Sequence, residues 1–182
     1  MAKKIGGRSA GPTLRRKTNA VQLTIYTDYT LRTLMFLALC SERLVTVSEI
    51  AKVYNISENH LTKVVHQLGL AGDVQTIRGR SGGIRLAKPP AAINLGAVVR
   101  RTEPDFAIAA CFEDPGACPL HAACVLEKAL TAAAAAFLAV LDRYTLADLI
   151  GPRLKLRRAL GLSPSAQHTV AANSSFSVHK RH

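Results

Sequence analysis

Apolar residues in the first half of the chain recur with helical spacing. Leu31, Leu34, Met35, Ala38 and Leu39 follow the i, i+3, i+4, i+7, i+8 pattern, which predicts a helix with one buried face, and Thr27 is placed to cap its start. Thr46-Val47-Ser48-Glu49 reads as a capping box opening a second helix that ends before Tyr54-Asn55. Ser57 is placed to cap a third. There Ile56 and Leu61 form a hydrophobic staple, and Leu61, Val64, Val65 and Leu68 make the inner stripe. Two short helices joined by a tight turn, the second showing polar side chains outward, are the helix-turn-helix pattern.

The period then changes. Val74 to Ile77 and Ile84 to Leu86 are β-prone runs flanking Arg78-Gly79-Arg80-Ser81-Gly82-Gly83, which predicts a β-hairpin wing with arginines at its turn. A nucleotide phosphate loop is the competing reading of these glycines. No helix follows them to present its N-terminus to a phosphate, so the wing is preferred. Leu95 to Arg101 reads as a short helix, Pro104 to Ala117 as irregular, and Pro119 suits the first position of a long helix running to about Arg143. Leu126, Leu130, Ala133, Phe137, Val140 and Tyr144 make a heptad seam on it, and Ala132 to Ala136 would let two backbones approach closely, so we expect a homodimer through this helix. Thr145 to Asp148 caps a final short helix. The fold class is therefore mainly α with a small β-hairpin wing: a winged helix-turn-helix domain plus a long dimerisation helix.

Composition and charge refine this picture. The chain has 182 residues, enough for one domain or one domain plus an appendage, and a net charge of +12. Met1 to Ala20 and Pro152 to His182 each hold six Lys or Arg and no acid. We expect residues 1–20 to be a disordered basic extension and residues 151–182 a disordered basic tail. The regular patterning starts at Val21, which suggests that the natural start lies there; an organelle transit peptide is disfavoured because the N-terminal stretch lacks an amphipathic apolar face. Residues 21–90 carry a net +3 and residues 91–150 a net −3, so the winged helix is the half suited to a polyanion. The longest apolar-leaning run, Ala129 to Leu141, is too short to span a bilayer, no secretory signal is visible, and a cytoplasmic protein without membrane attachment is expected.

Cys111, Cys118 and Cys124 are spaced C-x6-C-x5-C in the half without positive charge. Cys118 precedes the expected long helix, whose N-terminal amides favour a thiolate. Zinc sites usually show paired C-x2-C spacing, whereas wide loop-borne spacing suits an iron–sulfur cluster, which usually takes four ligands. A fourth ligand must come from elsewhere, and His121 and Glu127 are the nearest nitrogen and oxygen. Cys40 reads as a small buried apolar residue. Nucleophilic catalysis by a cysteine with His121 as base lacks an orienting group and an oxyanion loop, so no enzyme is expected.

Thr27-Asp28-Tyr29-Thr30-Leu31-Arg32, Asn59-His60-Leu61, Gln67-Leu68, Arg78 to Leu86, the three cysteines and Tyr144 to Leu149 together resemble the winged-helix iron–sulfur regulators that include IscR and RirA, most closely their nitric-oxide-sensing repressors. The likeness runs from Val21 to about Ile150. It implies a [4Fe–4S] cluster, or a [2Fe–2S] form of it, on Cys111, Cys118 and Cys124, with Asp28 of the partner subunit as fourth ligand. Relatives similar to IscR carry a histidine shortly after the third cysteine where this chain has Glu127, and they lack the Asp28 carboxylate. The six-residue gap between Cys111 and Cys118 departs from the commoner five. The implied function is a repressor that binds an A/T-rich inverted repeat of double-stranded DNA and lets go when nitric oxide attacks the cluster. An iron- or cluster-status regulator of the same family, and a cluster-free redox or zinc regulator, remain as alternatives. Base reading falls to Ser57, Asn59, His60 and Lys63 on the third helix. The wing contributes Arg78, Arg80, Ser81, Gly82, Gly83 and Arg85, its Gly-rich tip suited to a narrow minor groove.

Overall fold

The first helix becomes the centre of the molecule, touching the third helix, the wing and helices that follow it. In the computed structural model, which describes residues 22–103, 109, 112 and 123–162, α1 spans Ile25–Leu39. Leu34, Phe36, Leu37, Ala38 and Leu39 are all buried, and so are Thr27, Thr30 and Thr33. Leu31 and Met35 are only partly buried. The expected single buried face is thus replaced by burial on nearly every side. The polar residues allow it by bonding locally: the Thr30 hydroxyl donates to the Tyr26 carbonyl at 2.8 Å and the Thr33 hydroxyl to that of Tyr29 at 2.7 Å. The cap also moves. Thr24 is the N-cap, its hydroxyl oxygen accepting the Thr27 N–H, so Thr27 lies inside the helix rather than ahead of it.

The helix-turn-helix follows the sequence pattern closely. α2 spans Val47–Tyr54 and ends at Asn55, which takes a positive φ of 53°. α3 spans Glu58–Leu70 with Leu61, Val64, Val65 and Leu68 buried, and Ile56 is buried beside them as the staple requires. Only half of the capping box at Thr46 forms: its hydroxyl accepts the Glu49 N–H at 3.1 Å, but the Glu49 carboxylate turns to Arg43. That guanidinium holds Glu49 below the usual carboxylate range. Ser57 stands at the N-cap of α3 without a side-chain cap hydrogen bond.

β1 (Val74–Ile77) and β2 (Gly83–Leu86) form the antiparallel wing, with Gln75 opposite Arg85. A third backbone segment joins it: Val45 and Ile84 exchange N–H to carbonyl hydrogen bonds at 3.0 and 2.8 Å, so the residue leading into α2 extends the hairpin. α4 (Leu95–Thr102), α5 (Val125–Leu141) and α6 (Leu146–Leu149) follow. The core runs straight across position 90, since Ile93, Val98 and Leu146 belong to the same buried cluster as Leu34 and Leu61. α5 lies against α4 through a bidentate pair between Arg100 and Asp142 (2.5 and 2.7 Å) and buries none of its residues. Along the expected seam, Leu126 is 64% exposed, Val140 44% and Tyr144 46%. α6 opens with the predicted box, Thr145 and Asp148 capping each other, which holds the Asp148 carboxyl below its ordinary range.

The acid-free stretch after Pro152 is not solvated throughout. Arg153–Ala159 forms α7, and its side chains cap the end of α1: Arg153 donates to the Ala38 and Leu39 carbonyls at 3.0 Å each, and Arg157 to that of Leu39 at 2.5 Å. The acid partner of Arg153 is Glu42, at 3.3 Å. Helix-end carbonyls lacking intrahelical partners make a natural seat for guanidinium groups.

Candidate DNA-reading face and metal donors

The outer face of α3 presents Asn59, His60 and Lys63, all exposed, on the side opposite its buried stripe, and Ser57 is exposed at its start. His60 does not simply point away. Its ring packs on Tyr29 of α1, with centroids 6.2 Å apart. Ile25, Tyr26, Tyr29, His60, Lys63 and Val64 line an open groove of about 320 Å³ between the two helices. The face expected to read bases therefore touches α1 one residue from Asp28.

On the wing, Arg78, Arg80 and Ser81 are exposed at the turn. No acidic side chain pairs with Arg78 or Arg80 among the described residues, which leaves both cations available for phosphate. Arg85 is committed across the hairpin: its guanidinium donates to the Gln75 Oε1 at 3.1 and 3.2 Å. It can still face a phosphate, from a fixed position. Gly82 and Gly83 are needed for closeness. A Cβ on Gly82 would run into the Ile77 and Gly79 carbonyls, and one on Gly83 would stand 2.8 Å from the Val45 carbonyl.

The wing is anchored from beneath by Asp73, whose side chain is 2% exposed. It accepts from Lys88 at 2.8 Å and from Arg101 in the last turn of α4. Both sides of the hairpin are thereby tied to the helix that leads into the cysteine-bearing stretch. Sequence spacing gave no hint of this, because the partners lie far apart in the chain and an ion pair has no period.

Asp28 sits in the first turn of α1 with its side chain 44% exposed. Arg32 grips both carboxylate oxygens at 2.9 Å, while its own guanidinium lies 5.7 Å from the centroid of the Tyr54 ring. Burial pushes the Tyr54 hydroxyl pKa up, with Arg32 partly opposing it. Of the predicted cysteine ligands, Cys124 is described: it is the N-cap of α5, partly buried and not disulfide-bonded. Cys111, Cys118, His121 and Pro119 lie outside the described residues. α5 starts at Val125, and its positive end adjoins Cys124. Among the described residues no three His, Cys, Asp or Glu side chains gather into a metal-sized group. Cys40 is buried as expected, and burial pushes its thiol pKa up despite nearby Arg43. Among the described residues, no helix is long and apolar enough to cross a membrane.

Comparison with known proteins places this geometry. The family model for Rrf2, described as iron-dependent transcriptional regulator, matches residues 23–152. The HTH-type transcriptional regulator NsrR of Geobacillus kaustophilus is 52% identical over 142 residues, 77% of this chain and 97% of that protein. NsrR of Halalkalibacterium halodurans is 48% identical over 146 residues, 79% of this chain and the whole of that protein. Among solved structures, CymR, the global cysteine regulator of Bacillus subtilis, is 30% identical with a TM-score of 0.57 and covers 72% of this chain and 97% of its own. IscR of T. potens, at 24% identity and a TM-score of 0.58, shares the fold.

Proposed function

The chain belongs to the Rrf2 family of iron-dependent transcriptional regulators, and from that premise we propose that it is a cytoplasmic homodimeric repressor sensing nitric oxide through an iron–sulfur cluster. Cys111, Cys118 and Cys124 of one protomer and Asp28 of the partner subunit hold the cluster, of the [4Fe–4S] type or its [2Fe–2S] derivative. Two copies meet through the exposed apolar seam of α5 and read an A/T-rich inverted repeat with α3 and the wing.

The donor set fits. Three thiols and a carboxylate supply the four ligands that a four-iron cluster takes. The carboxylate is also easily released, because an exposed i, i+4 ion pair such as Asp28–Arg32 contributes only about 0–1 kcal/mol. The observation that carries the reading is the position of Asp28: one residue on, Tyr29 packs against His60 of the base-reading helix. A bond made at Asp28 from the other protomer fixes α1, and with it the separation of the two α3 helices. Only a correct separation fits two half-sites. When bound, the cluster would be held by Cys111, Cys118, Cys124 and Asp28 of the partner subunit and would supply iron reactive toward nitric oxide, a reaction that would free these residues. Asp28 then returns to Arg32 and α1 loses its tie to the second protomer. A bias of about 1.4 kcal/mol between the two domain arrangements changes operator affinity about tenfold.

Substitution of Cys124 by serine tests this. The wild type purified without oxygen is expected to be brown, with an operator affinity at least about tenfold above that of its cluster-free form. Cys124→Ser is expected to be colourless and to bind like the cluster-free protein. Equal affinities for the two proteins would contradict the role of the cluster. A colourless wild type that binds the repeat would return the cysteines to zinc or redox chemistry.

A further inference from the structure

The N-terminal cap of α1 is completed from far away in the chain. In a capping box, the N-cap hydroxyl accepts the N–H of the third helical residue while an acid at that position accepts the N-cap's own N–H. α6 does this locally with Thr145 and Asp148. α1 cannot, because its third residue is Thr27. The acid comes instead from Glu103, the C-cap of α4, 79 residues along the chain. Its Oε1 accepts the Thr24 N–H at 2.6 Å and the Thr24 hydroxyl at 2.9 Å. With its proton given to Glu103, the Thr24 hydroxyl oxygen is left to accept the Thr27 N–H at 3.2 Å, and the Thr24 carbonyl accepts the Asp28 N–H at 3.0 Å. One carboxylate thus orders the residue that orders Asp28. That carboxylate stands at the entrance to the stretch carrying Cys111.

We propose that Glu103 is a positioning residue: by completing the α1 cap from the end of α4, it holds Asp28 where it can reach the cysteines of the second protomer. This rests on the cross-subunit ligation proposed above. In consequence, the entrance to each protomer's cysteine stretch and the carboxylate that the same protomer lends are held by one pair of hydrogen bonds. The two metal sites of a dimer are mechanically linked through Glu103 and Thr24.

The test uses the full-length protein carrying Glu103→Ala or Glu103→Gln, each with Asp28 retained or replaced by alanine. In the cluster-free state, hydrogen exchange of the Thr27 and Asp28 amides is expected to quicken about tenfold in Glu103→Ala, while exchange at Leu68 in α3 stays unchanged. Glu103→Gln is expected to match the wild type, because its amide oxygen accepts the same two bonds. After anaerobic reconstitution, the visible absorption and circular dichroism of Glu103→Ala are expected to move toward those of Asp28→Ala, and to change no further when both substitutions are combined. A wild-type spectrum for Glu103→Ala beside an altered one for Asp28→Ala would overturn the positioning role. So would a spectral change by Glu103→Ala that persists undiminished in the Asp28→Ala background, which marks a merely structural effect. A wild-type spectrum for Asp28→Ala would instead remove Asp28 as a ligand, and the positioning role with it, whatever the exchange rates show.

Discussion

Leu61→Ala is expected to lower the free energy of unfolding by about 3–4 kcal/mol. Leu61 is fully buried and serves two contacts at once: it completes the staple with Ile56 at the start of α3, and it is the first residue of the stripe that docks α3 on the core. Truncation leaves a cavity between elements fixed by their neighbours, which cannot close around it. In a domain whose whole stability is on the order of 5–15 kcal/mol, that is a large share. Urea unfolding followed by circular dichroism measures the loss, and operator binding is expected to fall with it because α3 is the element displaced. A loss under about 1 kcal/mol would show that α3 is held by something other than this stripe.

Asp73→Ala is expected to cost about 2 kcal/mol and to weaken operator binding more than that loss alone accounts for. The buried carboxylate is the shared partner of Lys88 and Arg101. Removing one partner from a buried pair costs 3–5 kcal/mol when the remaining charge stays buried. Here the Lys88 and Arg101 side chains are 35% and 42% exposed, so both regain water and the cost falls. The wing, however, loses its attachment to α4. The functional signature is a shallower dependence of operator affinity on salt, as Arg78 and Arg80 cease to be held against phosphate. A stable variant with wild-type affinity and salt dependence would mean that the hairpin is positioned by its strand contacts to Val45 alone.

Features with a period were legible in the sequence. The stripe of α3, the wing and its glycines and the box at Thr145 each follow from spacing within one element, and the structure reproduces them. Features made between distant elements were not. The Val45–Ile84 bridge is a single residue pair and has no alternation to read. α7 looked like tail because counting charges within the segment finds no acid. Its partners are the carbonyls of α1 and Glu42, more than a hundred residues earlier. Thr27 looked like a cap because Thr24 owes part of its role to Glu103, which local pattern cannot supply. Among the proposed metal donors, the resemblance singled out Asp28, and geometry added what it could not: the carboxylate is shared with Arg32, and its helix packs on His60 of the face proposed to read bases.

On the proposed function, metal ligation and operator binding are one equilibrium. Its most direct test is a nitric oxide titration of anaerobically reconstituted protein bound to a fluorescently labelled A/T-rich inverted repeat, with absorbance and anisotropy read from the same cuvette. The predicted result is loss of the visible absorbance in step with release of the DNA, and no nitric oxide dependence of binding in the cluster-free protein. Absorbance lost while the operator stays bound would contradict it.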